Sequence, residues 1–161
     1  MTDPWPDEVE HVARFLRESG AEARIEEFPA GTPTAADAAR AVGCPPSHIV
    51  KSIVVECDAT AVLAMVRGDR RVDLAKVADA LGASSAKVAN SGRVREVTGV
   101  APGAVAPFPL PLVERALLDR GLLAHDRVWV GAGSDRHMAG LAPAELLRLT
   151  RAAAVDIAAD D

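Results

Sequence analysis

Apolar positions along this chain recur at two periods, one helical and one extended. After Trp5-Pro6-Asp7, the residues Val9, Val12, Phe15 and Leu16 fall on one stripe, which predicts a helix to about Ser19 with Gly20 as its stop. Residues 23–28 read as a short strand, followed by the turn-rich Phe28-Pro29-Ala30-Gly31-Thr32-Pro33. Thr32 is the expected N-cap and Pro33 the first residue of an Ala-rich helix to Val42, with Asp37 in its early turns. Gly43-Cys44-Pro45-Pro46-Ser47 ends that helix and leads into Ile49-Val50-Lys51-Ser52-Ile53-Val54-Val55, whose branched apolar residues predict a strand.

A second strand, residues 61–67, follows across Asp58-Ala59-Thr60 and implies a hairpin. Asp73 caps a helix to Leu81 with Leu74, Val77 and Leu81 as its stripe, residues 84–89 form a short strand, and Asn90-Ser91 caps a helix over 92–98. Residues 99–109 hold two glycines and three prolines, which excludes a regular helix and predicts a rigid, closely packed loop. Residues 112–119 read as helix and 126–130 as strand, with Gly131-Ala132-Gly133-Ser134 beyond it. A strand over 138–141, a helix from Ala142-Pro143-Ala144-Glu145 to Thr150, a last strand over 153–157 and a frayed tail complete the chain. Helices and strands mix without regular alternation, so the fold class is α+β: helices packed on a single mixed, largely antiparallel sheet.

Lys51 breaks the pattern. Ile49, Lys51, Ile53 and Val55 share one face of their strand; Val50, Ser52 and Val54 share the other. Both faces are mostly apolar, so the strand is expected to be covered on both sides, and an ammonium there needs a partner or a cleft. That makes Lys51 a candidate site residue, against the plainer alternative of an edge position whose amine reaches water. The Gly-Pro loop is a second candidate, because exposed backbone amides on a rigid loop can reach a ligand.

Length and composition narrow the function. The 161 residues, 49% of them hydrophobic, fit one domain with its own core rather than a disordered chain. No apolar run reaches spanning length, and the N-terminus has no basic and apolar leader, so a soluble, cytoplasmic protein without membrane contact is expected. Cys44 and Cys57 form no disulfide framework and lack partners at metal spacing, so no metal is expected. A net charge of −5 disfavours extended duplex binding but allows contact with the end of a nucleic acid. Arg67, Arg70 and Arg71, followed by Lys76, Lys87, Arg93 and Arg95, are read first as a solvated face. Gly131 to Ser134 is no phosphate loop, and His137 has no acid or cysteine at motif spacing, so it is assigned to surface or core. No Ser-His-Asp or Cys-His set and no cofactor fingerprint is evident, and no cofactor is expected.

Several segments together resemble one family. Thr32-Pro33-Thr34-Ala35-Ala36-Asp37-Ala38-Ala39 runs into Ile49-Val50-Lys51-Ser52-Ile53-Val54, then Arg67-Gly68-Asp69-Arg70-Arg71-Val72, then Gly103-Ala104-Val105-Ala106-Pro107-Phe108. Val128-Trp129-Val130-Gly131-Ala132-Gly133-Ser134 and Leu141-Ala142-Pro143-Ala144-Glu145-Leu146-Leu147 close the series. The chain is similar, from about Ser19 to Ile157, to the YbaK/ProX aminoacyl-tRNA deacylases, free-standing relatives of the editing domain of prolyl-tRNA synthetases; the lysine strand and the Gly-x-x-x-Pro loop are the specific parts.

The resemblance implies that fold and a trans-editing hydrolase that cleaves a wrong amino acid from the 3′-terminal adenosine of a tRNA. Its partners would be the acceptor end of a mischarged tRNA, tRNA(Pro) first, and an aminoacyl-tRNA synthetase. Lys51 would orient the adenosine phosphate, the ribose or the ester, and the Gly103 loop would offer amides to the charge developing on the carbonyl oxygen. Water would be the nucleophile, with help from the substrate's free ribose hydroxyl. Ser52, Ala104, Val105, Ala106 and Pro107 would join the substrate site, with Phe28 as a cleft aromatic. Gly131, Gly133 and Ser134 would wall its far end, where Gly131 replaces the serine of some members and so points to a subfamily outside the Cys-tRNA(Pro) deacylases. Alanine, serine, threonine, cysteine and small non-protein amino acids are the candidate cargoes. Two rivals remain: a non-catalytic aminoacyl-tRNA or synthetase binding module of the same fold, and an unrelated small-molecule enzyme on this scaffold. The residues fix neither the oligomeric state nor the need for a synthetase.

Overall fold

The computed structural model describes residues 5–160; residues 1–4 and 161, with the expectations about the leader and the last aspartate, lie outside the described residues. Helix α1 (Asp7–Glu18) buries Val9, Val12, Ala13 and Leu16, and Gly20 leaves it in the left-handed region. It leads to β1 (Ala23–Glu27) and α2 (Ala35–Val42). The cap of α2 is Thr34 rather than Thr32: Thr34 Oγ1 accepts from the Asp37 amide at 3.1 Å and donates to the Asp37 carboxylate at 2.8 Å. Thr32 instead ties its amide and its hydroxyl to the carbonyl of Asp135, 103 residues away, a tertiary demand that overrides the local capping pattern.

The expected hairpin is present. β2 (Val50–Cys57) and β3 (Thr60–Arg67) pair antiparallel, with Lys51 opposite Val66, across a turn that puts Asp58 and Ala59 at positive φ. Helix α3 (Leu74–Leu81) is capped by Asp73, and α4 (Ser91–Thr98) by Asn90, as the sequence predicts. Between them β4 (Ala86–Val88) pairs only with Val55, Glu56 and Cys57 of β2.

Residues 112–119 depart from expectation. They contain β5 (Arg115–Asp119), which runs parallel to β3, and no helix. Leu117 packs towards α3 and Leu118 towards the core between the sheets. A strand buried on both faces reads as a continuous apolar run, which periodicity cannot separate from a helix. β6 (Val128–Ser134) does not stop at Val130 but continues through the glycines, with a bulge between Gly131 and Ser134, to pair with β7 (His137–Leu141). Helix α5 (Pro143–Thr150) and β8 (Ala153–Val155) follow, β8 parallel to β5. Ala158 and Ala159 are held rather than frayed: Ala158 bridges Val72, and the Ala159 amide donates to the Arg71 carbonyl at 2.7 Å.

There are two sheets, which corrects the single sheet expected. One is β1-β7-β6, all antiparallel; the other is β4-β2-β3-β5-β8, mixed. Alternation along each strand supplies the reason. Val50, Leu63 and Met65 from the larger sheet meet Val128, Val130, Ala132, Ala139 and Leu141 from the smaller, closed by Val12 and Leu16 of α1 and Leu146 of α5. Each such fully buried branched side chain contributes roughly 1.5–3 kcal/mol. The other face of the large sheet packs Val55, Val62, Ala64 and Val66 against Val77 of α3. Two sheets with inner apolar faces bury more than one sheet could, and one-dimensional alternation cannot say which strands share a sheet.

Candidate active site

The first half of β2 has no neighbour of the large sheet on its outer side, because β4 ends at Val88, opposite Val55. Ile49 instead bridges Trp129 of the small sheet. The Gly68 amide donates to the Ile49 carbonyl at 2.8 Å, which sets the alternation of the β2–β3 ladder and turns the amide and carbonyl of Ser52 towards the open side.

A cleft of about 350 Å³ opens there. Lys51, Ser52 and Ile53 form one wall, Thr32 to Ala35 and Ala38 a second, Pro102, Gly103 and Val105 a third, and Gly131, Ser134 and Met138 the end. The fold thus brings Lys51, Ser52, Gly103, Val105, Gly131 and Ser134 to one cavity. The remaining residues suggested by the sequence lie elsewhere. Ala104 is half-buried in the same turn but off the cleft wall. Ala106 and Gly133 line a separate hollow beside α1, and Pro107 borders a larger one of about 730 Å³ between α1 and β5 that holds none of Lys51, Ser52 or Gly103. Phe28 packs edge-on against Trp129, ring centres 6.3 Å apart, in the apolar cluster beneath α2.

Lys51 is half-buried, and its ammonium donates to the carbonyl of Arg70 on the turn after β3. Burial pushes its pKa down, Arg71 adds to that, and Asp69 opposes it. A neutral carbonyl holds the lysine in place without cancelling its charge. The Ser52 hydroxyl is buried and has no hydrogen-bond partner among the described residues.

The Gly-Pro loop starts as a three-residue 3-10 turn, Pro102–Ala104, closed by the Ala104 amide on the Ala101 carbonyl at 2.9 Å. Its place is fixed by Gly131, where an added Cβ would stand 2.5 Å from the Val105 carbonyl oxygen. Glycine at 131 is therefore a close-approach requirement between β6 and the loop. Gly103 is different: a Cβ there meets only the Pro33 carbonyl, at 3.4 Å.

The structure also supplies what the sequence reading passed over. His137 is buried, not at the surface, and its Nδ1 lies 2.6 Å from Ser134 Oγ. Ser134 Oγ also accepts from the Arg136 amide at 3.0 Å, so the hydroxyl ties the turn backbone to the imidazole. Nε2 faces the Glu27 carboxylate at 3.6 Å, beyond hydrogen-bond reach. Burial lowers the His137 pKa, Glu27 opposes this and Arg136 reinforces it. Ser and His three residues apart across a β-bulge carry no motif spacing, so only the tertiary structure reveals the pair.

The basic residues sort into two groups. Arg67 pairs with buried Asp119 at 2.8 Å, Lys76 with Asp156 at 3.1 Å, and Arg93 with Glu56 and Glu96. Arg71, Lys87 and Arg95 are exposed, with no ion pair among the described residues, and Arg71 is the one beside Lys51.

Residues 29–149 match the family model of the aminoacyl-tRNA editing domain. The chain belongs to this family. Over 143 residues this editing domain is 34% identical to a proline–tRNA ligase of Nitratidesulfovibrio vulgaris, a match covering 87% of this chain and 24% of the ligase. It spans only 16–24% of the length of such ligases. A crystal structure of a candidate trans-editing enzyme for prolyl tRNA synthetase is 35% identical, with a TM-score of 0.90 over 98% of this chain and 100% of that one. A hypothetical protein of known structure is 28% identical, with a TM-score of 0.87 over 92% and 99%. Among the described residues, no helix of the editing domain is long and apolar enough to cross a membrane, and no group of three or more His, Cys, Asp or Glu is arranged to hold a metal ion.

Proposed function

We propose that this editing domain is a deacylase that hydrolyses the ester between a wrong small amino acid and the 3′ end of a tRNA. The observation that carries the reading is the convergence of Lys51 and Ser52 with the Pro102–Val105 segment on one cleft. Water adds to the ester carbonyl, the oxygen becomes negative, and the ribose oxygen leaves with a proton as the free hydroxyl. The Ala104 amide is engaged within its turn, so the amides of Gly103 and Val105 are the loop's donors to the oxyanion. Lys51 supplies positive charge for the neighbouring phosphate or ribose, worth more in a half-buried cleft than in water. The orphaned Ser52 hydroxyl takes a polar group of the aminoacyl moiety. Short side chains at Ala35, Ala38, Gly103 and Gly131 leave room for a methyl, hydroxymethyl or thiol side chain.

Similarity to proline–tRNA ligases and to a candidate trans-editing enzyme for that synthetase supports tRNA(Pro) as the carrier and the synthetase as a partner. The test is a panel of tRNA(Pro) charged with alanine, serine, cysteine or threonine, beside correctly charged Pro-tRNA(Pro). Release of one wrong amino acid with Pro-tRNA(Pro) spared is the expected result. A protein that binds these tRNAs and releases nothing is a binding module.

A further inference from the structure

Lys51 and Ile53 line a second hollow as well as the acyl cleft. It measures about 300 Å³, and its other walls are Val66, Val72, Leu74, Val88 and Arg71. The deacylase reading assigns it no role. We infer that this hollow is a base-binding subsite, which takes the aromatic base of the substrate's terminal nucleotide while the aminoacyl group occupies the cleft on the other side of Lys51. The inference rests on the deacylase reading for the identity of the ligand, and on the structure for its chemistry.

The walls select that chemistry. Val66 is fully buried, and Ile53, Val72 and Leu74 are partly buried, so the floor is apolar and suits the face of a base. Val88 is 52% exposed and forms an apolar lip at the end of β4. Among the described residues the charged members of the lining, Lys51 and Arg71, are both cations, and no carboxylate belongs to it. The adjacent Asp73 carboxylate is turned into the start of α3, where it accepts the Lys76 amide at 3.1 Å. Asp69, across the turn, is the acid whose field reaches Lys51. An apolar floor edged by two cations fits a base with its phosphate better than a peptide or a lipid chain.

Placement agrees with this. The two hollows share Lys51 and Ile53, which places an aminoacyl nucleotide across Lys51 with its ester in one and its base in the other. The far wall is anchored, since Val72 bridges Ala158 and the Arg71 carbonyl accepts the Ala159 amide.

The experiment is a titration of methyl-labelled protein with adenosine 5′-monophosphate, and separately with ribose 5-phosphate, followed by NMR. The expected result is that the adenosine nucleotide shifts the methyl resonances of Ile53, Val72, Leu74 and Val88 and that ribose 5-phosphate does not. Val88→Glu, an exposed change that faces the bound phosphate with a carboxylate, should weaken this binding at least about fivefold, or roughly 1 kcal/mol. Absence of these shifts in the wild type, or equal binding by Val88→Glu, overturns the inference. Shifts at these methyls without hydrolysis of any mischarged tRNA leave the base subsite standing and sink the deacylase reading. Hydrolysis with shifts elsewhere does the reverse.

Discussion

The Ser134 hydroxyl stands 2.6 Å from Nδ1 of His137, at the point where the cleft wall meets the core of the small sheet. His137 is 1% exposed, and burial disfavours its charged form.

Two desolvated imidazoles make stability depend on pH. Burial holds the folded-state pKa of His137 below the ordinary imidazole value, and burial, then His48 and Arg67, does the same for His125. The unfolded chain therefore takes up protons first as pH falls through about 6.5. Stability is complete above that value, declines below it, and levels off only under the folded pKa, with a slope of at most about 1.4 kcal/mol per pH unit for each histidine. Thermal unfolding between pH 7.5 and 5.5 should show this decline, and His137→Gln should make it shallower, leaving the part due to His125. A wild-type Tm that is constant over that range would contradict the assignment.

Ser52 gives a prediction in which stability and function part. A buried hydroxyl without a partner costs about 1–3 kcal/mol, so Ser52→Ala should leave Tm unchanged or raise it. Deacylation should fall nonetheless, because the hydroxyl serves the substrate. A variant that is both less stable and fully active would refute this role.

The two cleft glycines should behave differently. Gly131→Ala drives a methyl into the Val105 carbonyl at 2.5 Å and should destabilise by roughly 1–3 kcal/mol while displacing the loop. Gly103→Ala meets only Pro33 at 3.4 Å, so its stability should stay within about 0.5 kcal/mol of wild type while activity drops. Denaturant titrations with deacylation assays on both variants separate the effects.

Asp119 should be a structural keystone. Its buried carboxylate accepts from Arg67 Nε at 2.8 Å, the Arg67 amide at 3.2 Å and the Gly121 amide at 3.0 Å, joining the ends of β3 and β5. Asp119→Ala strands the arginine and two amides and should cost about 3 kcal/mol. A loss below about 1 kcal/mol in urea unfolding would show that water replaces these bonds.

Much of this was legible in the sequence where one local pattern acted alone. The β2–β3 hairpin and the caps Asp73 and Asn90 follow from alternation and side-chain chemistry within a few residues. Lys51 stood out because a charge interrupted an apolar strand, and the structure places it at a cleft with Gly103 and Ser134. What the sequence hid was set by distant partners. Leu117 and Leu118 are a strand because β3 and β8 flank them, and Thr32 is drawn from its capping role by Asp135. The edge-on contact of Phe28 with Trp129, which packs it against the cluster beneath α2, is likewise one that no local pattern encodes.

The most direct test of the deacylase account compares wild type with Lys51→Ala in single-turnover release of the amino acid from mischarged tRNA(Pro), with circular dichroism to show that both are folded. The account predicts that the wild type releases at least one wrong amino acid and that Lys51→Ala, equally folded, is slower by about 100-fold or more. Release by Lys51→Ala at the wild-type rate, or none by either protein, would contradict it.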